Sequence, residues 1–180
     1  MREYLSTWGG SMAQYKVLVF DSGKCTGCER CVLACNYVKT GVFGTRDARI
    51  RIFSWRETGD FVVLGCYHCD PAPCMEACGV DAIYRDPKTN AVVIDYRKCI
   101  NCKACVYACP YGAITIGSNG KVIKCDLCDG DPACVKACPY GALRYEPVTE
   151  VGADFAYQYA STLRAKTDIS KRTWSGARPA

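Results

Sequence analysis

Sixteen cysteines fall into four groups of four, with none left over: Cys25, Cys28, Cys31, Cys35; Cys66, Cys69, Cys74, Cys78; Cys99, Cys102, Cys105, Cys109; and Cys125, Cys128, Cys134, Cys138. The first and third groups read C-x2-C-x2-C-x3-C, while the second and fourth widen the middle gap to C-x2-C-x4-C and C-x2-C-x5-C. This is ligand spacing for an iron–sulfur cubane. Two-residue gaps let a short loop wrap one small cube with its amide N–H groups turned toward the sulfurs, so three thiolates reach three corners. Gly27 relieves crowding inside the first loop. The fourth cysteine follows one helical turn later and points elsewhere; in the bacterial two-cluster pattern it completes the other cluster of a pair and is followed by proline. Pro110 and Pro139 supply that proline, whereas Asn36 and Gly79 stand in its place in the other two groups.

Competing uses of the thiols differ in spacing and compartment. Structural zinc would also consume every cysteine, but zinc ligands come as two separated C-x2-C knuckles, and three cysteines within seven residues, twice over, fit that poorly. Disulfides rank third. Met1 to Gln14 has no apolar run after Arg2 and no twin arginine, and no segment approaches the ~18 uncharged apolar residues of a membrane span. A cytoplasmic chain with reduced thiols and no membrane span is therefore expected. Spacing alone leaves room for one [3Fe–4S] site.

The net charge of +5 counts every cysteine as neutral. Four oxidised [4Fe–4S] cores in tetrathiolate shells would carry about −2 each and bring the total to about −3, which removes the case for a nucleic-acid partner. There is no Gly-x-Gly-x-x-Gly and no Walker loop, hence no nucleotide or flavin site. Outside the cysteines nothing has the pattern of an acid, base or nucleophile constellation, so the chain reads as non-catalytic.

The elements that must hold these loops are short. Tyr15–Phe20 reads as a strand leading into the first group, and Arg49–Trp55 pairs with Phe61–Leu64 across Thr58-Gly59-Asp60. Further hairpins are expected from Ala82–Arg85 with Ala91–Asp95, and from Ala113–Ile116 with Lys121–Lys124. Helices are expected to be short, from Cys28 to Tyr37 and after the third cysteine of the other groups. The segment Ala108-Cys-Pro-Tyr-Gly-Ala-Ile114 returns as Ala137-Cys-Pro-Tyr-Gly-Ala-Leu143, an internal repeat. Repeated hairpin, cluster loop and short helix make an α+β, ferredoxin-like layout of two pseudo-symmetric dicluster modules. So small a unit buries too little apolar surface to stand alone, and bonds to the clusters supply the missing core.

Other residues invite a role. His68, the single histidine, sits between two ligands; it can tune a cluster, relay a proton or simply pack. Arg46, Arg49, Arg51 and Arg56 form a stretch read first as a solvated face and second as a surface for an acidic partner. Tyr111 and Tyr140 occupy matching places and are read as packing beside clusters. Asp154–Lys166 can form a helix. From Val151 onward five Lys or Arg face two Asp, a basic tail of the kind that is solvated or clasps a partner.

The run Phe20-Asp-Ser-Gly-Lys-Cys-Thr-Gly-Cys28, the Cys66-Tyr-His-Cys69-Asp-Pro-Ala-Pro-Cys74 element and both Ala-Cys-Pro-Tyr-Gly-Ala elements resemble the four-cluster [4Fe–4S] ferredoxin-like subunits of molybdenum and tungsten oxidoreductases, over about residues 15 to 147. The large family is the iron–sulfur subunit of dimethyl sulfoxide reductase and its relatives; the length is more similar to the small polyferredoxin subunit of tungsten aldehyde oxidoreductases. The resemblance implies that the first group pairs with the fourth and the second with the third. Its ligand sets would be Cys25, Cys28, Cys31 with Cys138; Cys125, Cys128, Cys134 with Cys35; Cys66, Cys69, Cys74 with Cys109; and Cys99, Cys102, Cys105 with Cys78. It implies an N-terminal extension (1–14) and a four-cluster domain (15–147). That domain has an outer module from 15–40 with 117–147, an inner module from 60–116 and a hairpin insertion at about 41–65. A C-terminal helix and tail (148–180) follow. The implied function is single-electron transfer between a tungsten- or molybdenum-pterin catalytic subunit, of aldehyde oxidoreductase type, and a ferredoxin or flavin/NAD subunit. Terminal segments could also mediate self-association. The alternatives are a freestanding polyferredoxin, a subunit of a dimethyl sulfoxide reductase-like or formate dehydrogenase complex, and, distantly, a zinc-stabilised scaffold.

Overall fold

The computed structural model describes residues 15–55 and 57–148. The N-terminal extension, the helix expected over 154–166, the basic tail and Arg56 lie outside the described residues.

Eight strands form four separate two-stranded antiparallel ribbons. Three are hairpins where the sequence pattern places them. β2 (Arg51–Trp55) pairs with β3 (Asp60–Leu64), β4 (Ile83–Arg85) with β5 (Val92–Ile94), and β6 (Thr115–Ile116) with β7 (Val122–Ile123). Each turn carries a left-handed residue, Gly59 at φ 73°, Asn90 at φ 59° and Gly120 at φ 74°, which reverses the chain at little cost for glycine and asparagine. The fourth ribbon is not local. β1 (Lys16–Phe20) pairs with β8 (Leu143–Pro147), placing Phe20 opposite Leu143 and Lys16 opposite Pro147. Leu143–Pro147 alternates apolar and polar residues over only five positions and has no neighbour in sequence to form a hairpin with, since its partner lies across the whole domain.

Four helices share one register. In α1 (Arg30–Thr40), α2 (Pro73–Glu76), α3 (Ala104–Ala108) and α4 (Ala133–Lys136) the second residue is the third cysteine of its group. The helices therefore begin before the third cysteine and not after it, and α1 runs through Cys35 to Thr40, where Gly41 at φ 73° ends it. How each helix is entered depends on the spacing of its group. In the tight groups left-handed Glu29 and Lys103 precede α1 and α3, because two residues must reverse the chain; the widened groups enter through extended Ala72, with Pro73 as the first helical residue, and through extended Pro132.

Apolar side chains gather into two buried cores. One joins Leu18, Val32, Ile50, Val63, Leu127 and Leu143 with Cys31, Cys35 and Cys134. The other joins Ile83, Val92, Ile114 and Val122 with Cys74 and Cys105. Helix α1 packs on α4 beside the first core, and α2 on α3 beside the second. The third cysteine of every group is buried among these residues. Among the described residues no helix is long and apolar enough to cross a membrane. Two-stranded ribbons are marginal by themselves, so stability rests on these small cores and on whatever the cysteines bind. Leu18→Ala, which opens the first core, should cost about 2–5 kcal/mol. Ile116→Ala, on an exposed side chain, should change stability by less than about 0.5 kcal/mol. The denaturant midpoint for loss of visible absorption in the metal-loaded protein checks both.

Candidate metal centres

In each group the residue just before the second cysteine is left-handed: Gly27 at φ 70°, His68 at 49°, Asn101 at 59° and Leu127 at 56°. Only one of the four is glycine. A histidine and a leucine held in this region cost about 1–3 kcal/mol apiece, and the surrounding loop must enforce the conformation. Its effect is to turn consecutive amide N–H groups inward, an arrangement that receives anionic sulfur. In the widened groups the left-handed residue donates its own N–H to the first cysteine, from His68 to Cys66 Sγ at 3.4 Å and from Leu127 to Cys125 Sγ at 3.5 Å. The fourth group stays left-handed through Cys128 and Asp129, taking up the extra residues of its longer gap.

Fourth cysteines are met in another way. Cys35, Cys78 and Cys109 each accept a backbone N–H from a residue further along the chain, from Arg49 at 3.2 Å, Ala82 at 3.3 Å and Ala113 at 3.3 Å. Each of these N–H groups points the positive end of a peptide dipole at the sulfur.

The cysteines surround four cavities. One is lined by Cys25, Cys28, Cys31 and Cys138. Another is lined by Cys35, Cys125, Cys128 and Cys134, and also by Cys66. Cys66 lines a third as well, together with Cys69, Cys74 and Cys109. The fourth is lined by Cys78, Cys99, Cys102 and Cys105. Three of the cavities thus draw three cysteines from one group and one from another, and the Cys35 cavity does the same with Cys66 of the second group as a fifth. Among the described residues no three His, Cys, Asp or Glu side chains converge as they would on a single ion. Thiols that line a cavity are the arrangement a multi-iron cage requires.

Burial pushes the Cys31 thiol up to about 11 and that of Cys134 up to about 12, and it raises Cys125 as well. Neighbouring thiolates add to each shift. Bare thiols so placed keep their protons, so taking up metal must release them, and the bonds to metal offset the cost of the buried charge.

Residues outside the cysteines complete the picture. His68 Nδ1 accepts the N–H of Val92 at 2.9 Å, while its Nε2 is buried with no protein partner. Burial, followed by the charges of Lys124 and Arg85, holds the imidazole down at about 3. Arg49 and Arg51 are half-buried and not a solvated stripe: Arg49 donates to Asp47 O at 2.6 Å and Arg51 to Gly112 O. Arg46 is exposed. Tyr111 lines the cavity of Cys66 and Tyr140 that of Cys25. Sequence reasoning missed Lys124, which is buried and donates Nζ to Cys66 Sγ at 3.1 Å and to Val92 O. Its signal was available in Lys121-Val-Ile-Lys-Cys125, a cation inside an apolar strand directly before a ligand.

The family model of the 4Fe-4S dicluster domain matches residues 58–148, and that of a 4Fe-4S binding domain matches residues 22–38. The chain belongs to the 4Fe-4S dicluster family, whose members bind [4Fe–4S] clusters and transfer electrons. Among its relatives, the aliphatic sulfonate oxidoreductase polyferredoxin-like subunit of Pyrococcus furiosus is 41% identical over 111 residues, 61% of this chain and 64% of that one. A sulfite dehydrogenase subunit of Allochromatium vinosum is 35% identical over 127 residues, 59% of this chain and 52% of its own length. The putative electron transport protein YsaA of Escherichia coli is 34% identical over 125 residues, 62% of this chain and 75% of the relative. The chain spans between about half and two-thirds of the length of the first two.

Gly27 offers a local test. A Cβ there would lie 2.2 Å from the Phe61 ring, at a φ that side chains avoid; at Gly79 it would meet nothing within 4 Å. Gly27→Ala should strip iron from the Cys25 centre under a chelator several-fold faster than in the native chain, whereas Gly79→Ala should match the native rate.

Proposed function

We propose that the chain is a non-catalytic electron-transfer subunit carrying four [4Fe–4S] clusters in two pseudo-symmetric dicluster modules. The observation that supports this reading is the lining of the four cavities, each by three cysteines of one group and the fourth cysteine of another, with Cys66 shared between two of them. The proposed ligand sets are those cysteines: Cys25, Cys28, Cys31 and Cys138; Cys35, Cys125, Cys128 and Cys134; Cys66, Cys69, Cys74 and Cys109; and Cys78, Cys99, Cys102 and Cys105. Bound there, the clusters would supply one-electron chemistry.

The protein's own part is to hold the sites in order and keep water from most of them. α1 packed on α4 joins the first two sets, Cys66 on the rim of two cavities joins the second to the third, and α2 packed on α3 joins the third to the fourth. That supports a series with the Cys25 and Cys78 centres at its ends. Each end holds one exposed thiol, Cys28 and Cys102 respectively, and exposure at the ends suits exchange of electrons with partners. The relatives named above support an oxidoreductase complex; the resemblance carried by the sequence motifs adds that one partner is a molybdenum- or tungsten-pterin catalytic subunit, of aldehyde oxidoreductase type, and the other a ferredoxin or flavin subunit. The complex works in the cytoplasm, with residues 1–14 and 148–180 as further contacts.

Anaerobically purified protein should contain about 16 iron and about 16 acid-labile sulfide per chain. Stoichiometric zinc with little sulfide would overturn the reading. Cys35→Ala should damage the centre of Cys125, Cys128 and Cys134 and spare that of Cys25, Cys28 and Cys31. Mössbauer or EPR spectra showing the reverse loss would break the proposed pairing.

A further inference from the structure

Lys124 stands out in the interior. It is 5% exposed, and among the described residues it is the one buried ionisable side chain apart from the thiols. A buried cation is costly unless an anion faces it. Lys39, beside the neighbouring cavity, has such a partner in Asp126 at 2.7 Å. Lys124 has no carboxylate within salt-bridge reach among the described residues; its Nζ donates instead to Cys66 Sγ at 3.1 Å and to Val92 O. The charge that compensates it must therefore be thiolate and whatever the thiolates hold.

A second, independent donor aims at the same place. Val92 N–H occupies His68 Nδ1, so the ring proton of a neutral imidazole sits on Nε2, which is buried and has no protein acceptor. Both side chains line the cavity of Cys66, Cys69, Cys74 and Cys109. One residue fixes both, because fully buried Val92 gives its N–H to His68 and its C=O to Lys124. The other cavities lack this pair. No charged side chain lines that of Cys25, Lys103 alone lines that of Cys78, and at the Cys35 cavity Lys39 is neutralised by Asp126, leaving the half-buried Arg49, whose Nε is also without a protein partner, as a cation with no histidine beside it.

Reducing a cluster adds one negative charge to it. A nearby cation and an inward N–H stabilise that added charge more than the oxidised state, and so raise the reduction potential. Building on the ligand sets above, we propose that Lys124 and His68 are tuning residues that make the Cys66–Cys69–Cys74–Cys109 centre the most readily reduced of the four. An electron entering at either end would come to rest there, one step inside the chain.

The test is an EPR-monitored redox titration of the full chain, begun only after iron and sulfide confirm full loading, so that a failed cluster count is separated from a failed tuning role. In Lys124→Met the highest midpoint, and only that one, should fall by about tenfold in the reduction constant, or about 59 mV for one electron. Lys124→Arg should restore it, and His68→Phe should lower the same midpoint. Full loading with no shift, or a shift at any other midpoint, overturns the proposal. Should the variants fail to load, native chains labelled with 15N-lysine or 15N-histidine replace them. Pulsed EPR of the first signal to appear on reduction should then show nitrogen coupling from each label, and its absence overturns the assignment.

Discussion

Four thiolates that must ring a cage cannot all come from one short loop. Three can, because two-residue gaps let a loop curl round a corner, but the chain then leaves in a helix and its next cysteine faces away. Under the proposed ligand sets the fourth ligand arrives from another loop, and the reverse holds for the partner loop. This exchange would make groups interdependent in pairs. It accounts for the packing of α1 on α4 and of α2 on α3, for two cores instead of one, and for four ribbons that never merge into a larger sheet.

Electrostatics imposes the second layer. Burial, and after it the charge of neighbouring thiolates, opposes ionisation at Cys31, Cys125 and Cys134. The chain answers with dipoles more than with charges: inward amides of the left-handed residues, and N–H groups reaching Cys35, Cys78 and Cys109. Dipoles of this sort are held in place by the backbone and need no movement when charge on the site changes. Lys124 is the exception, a full charge placed where amides alone would have sufficed for binding.

Much of this was legible in the residues. Cysteine spacing located the four loops, and turn residues such as Gly59 and Asn90 located three hairpins, because both are local signals read within a few positions. The β1–β8 ribbon was not legible, since Leu143–Pro147 becomes a strand only by meeting Lys16–Phe20 from the far end of the domain. The left-handed turn was visible at Gly27 and hidden at His68 and Leu127, residue types that do not advertise it. Lys124 escaped for a related reason. A lysine reads as surface by default, and only the packing of Val92 and Cys66 around it reverses that.

The β1–β8 ribbon also sets a timetable. A ribosome releases the chain from its N-terminus, and Cys66 to Cys109 are complete long before Leu143–Pro147 emerges. The central hairpins and their loops can close on local contacts while the first strand still waits for its mate. Cys25 to Cys35 spend that interval without Cys134, Cys138 and Leu143, which lie beside them in the finished fold. The end of the molecule that is synthesised first is thus the last to be finished.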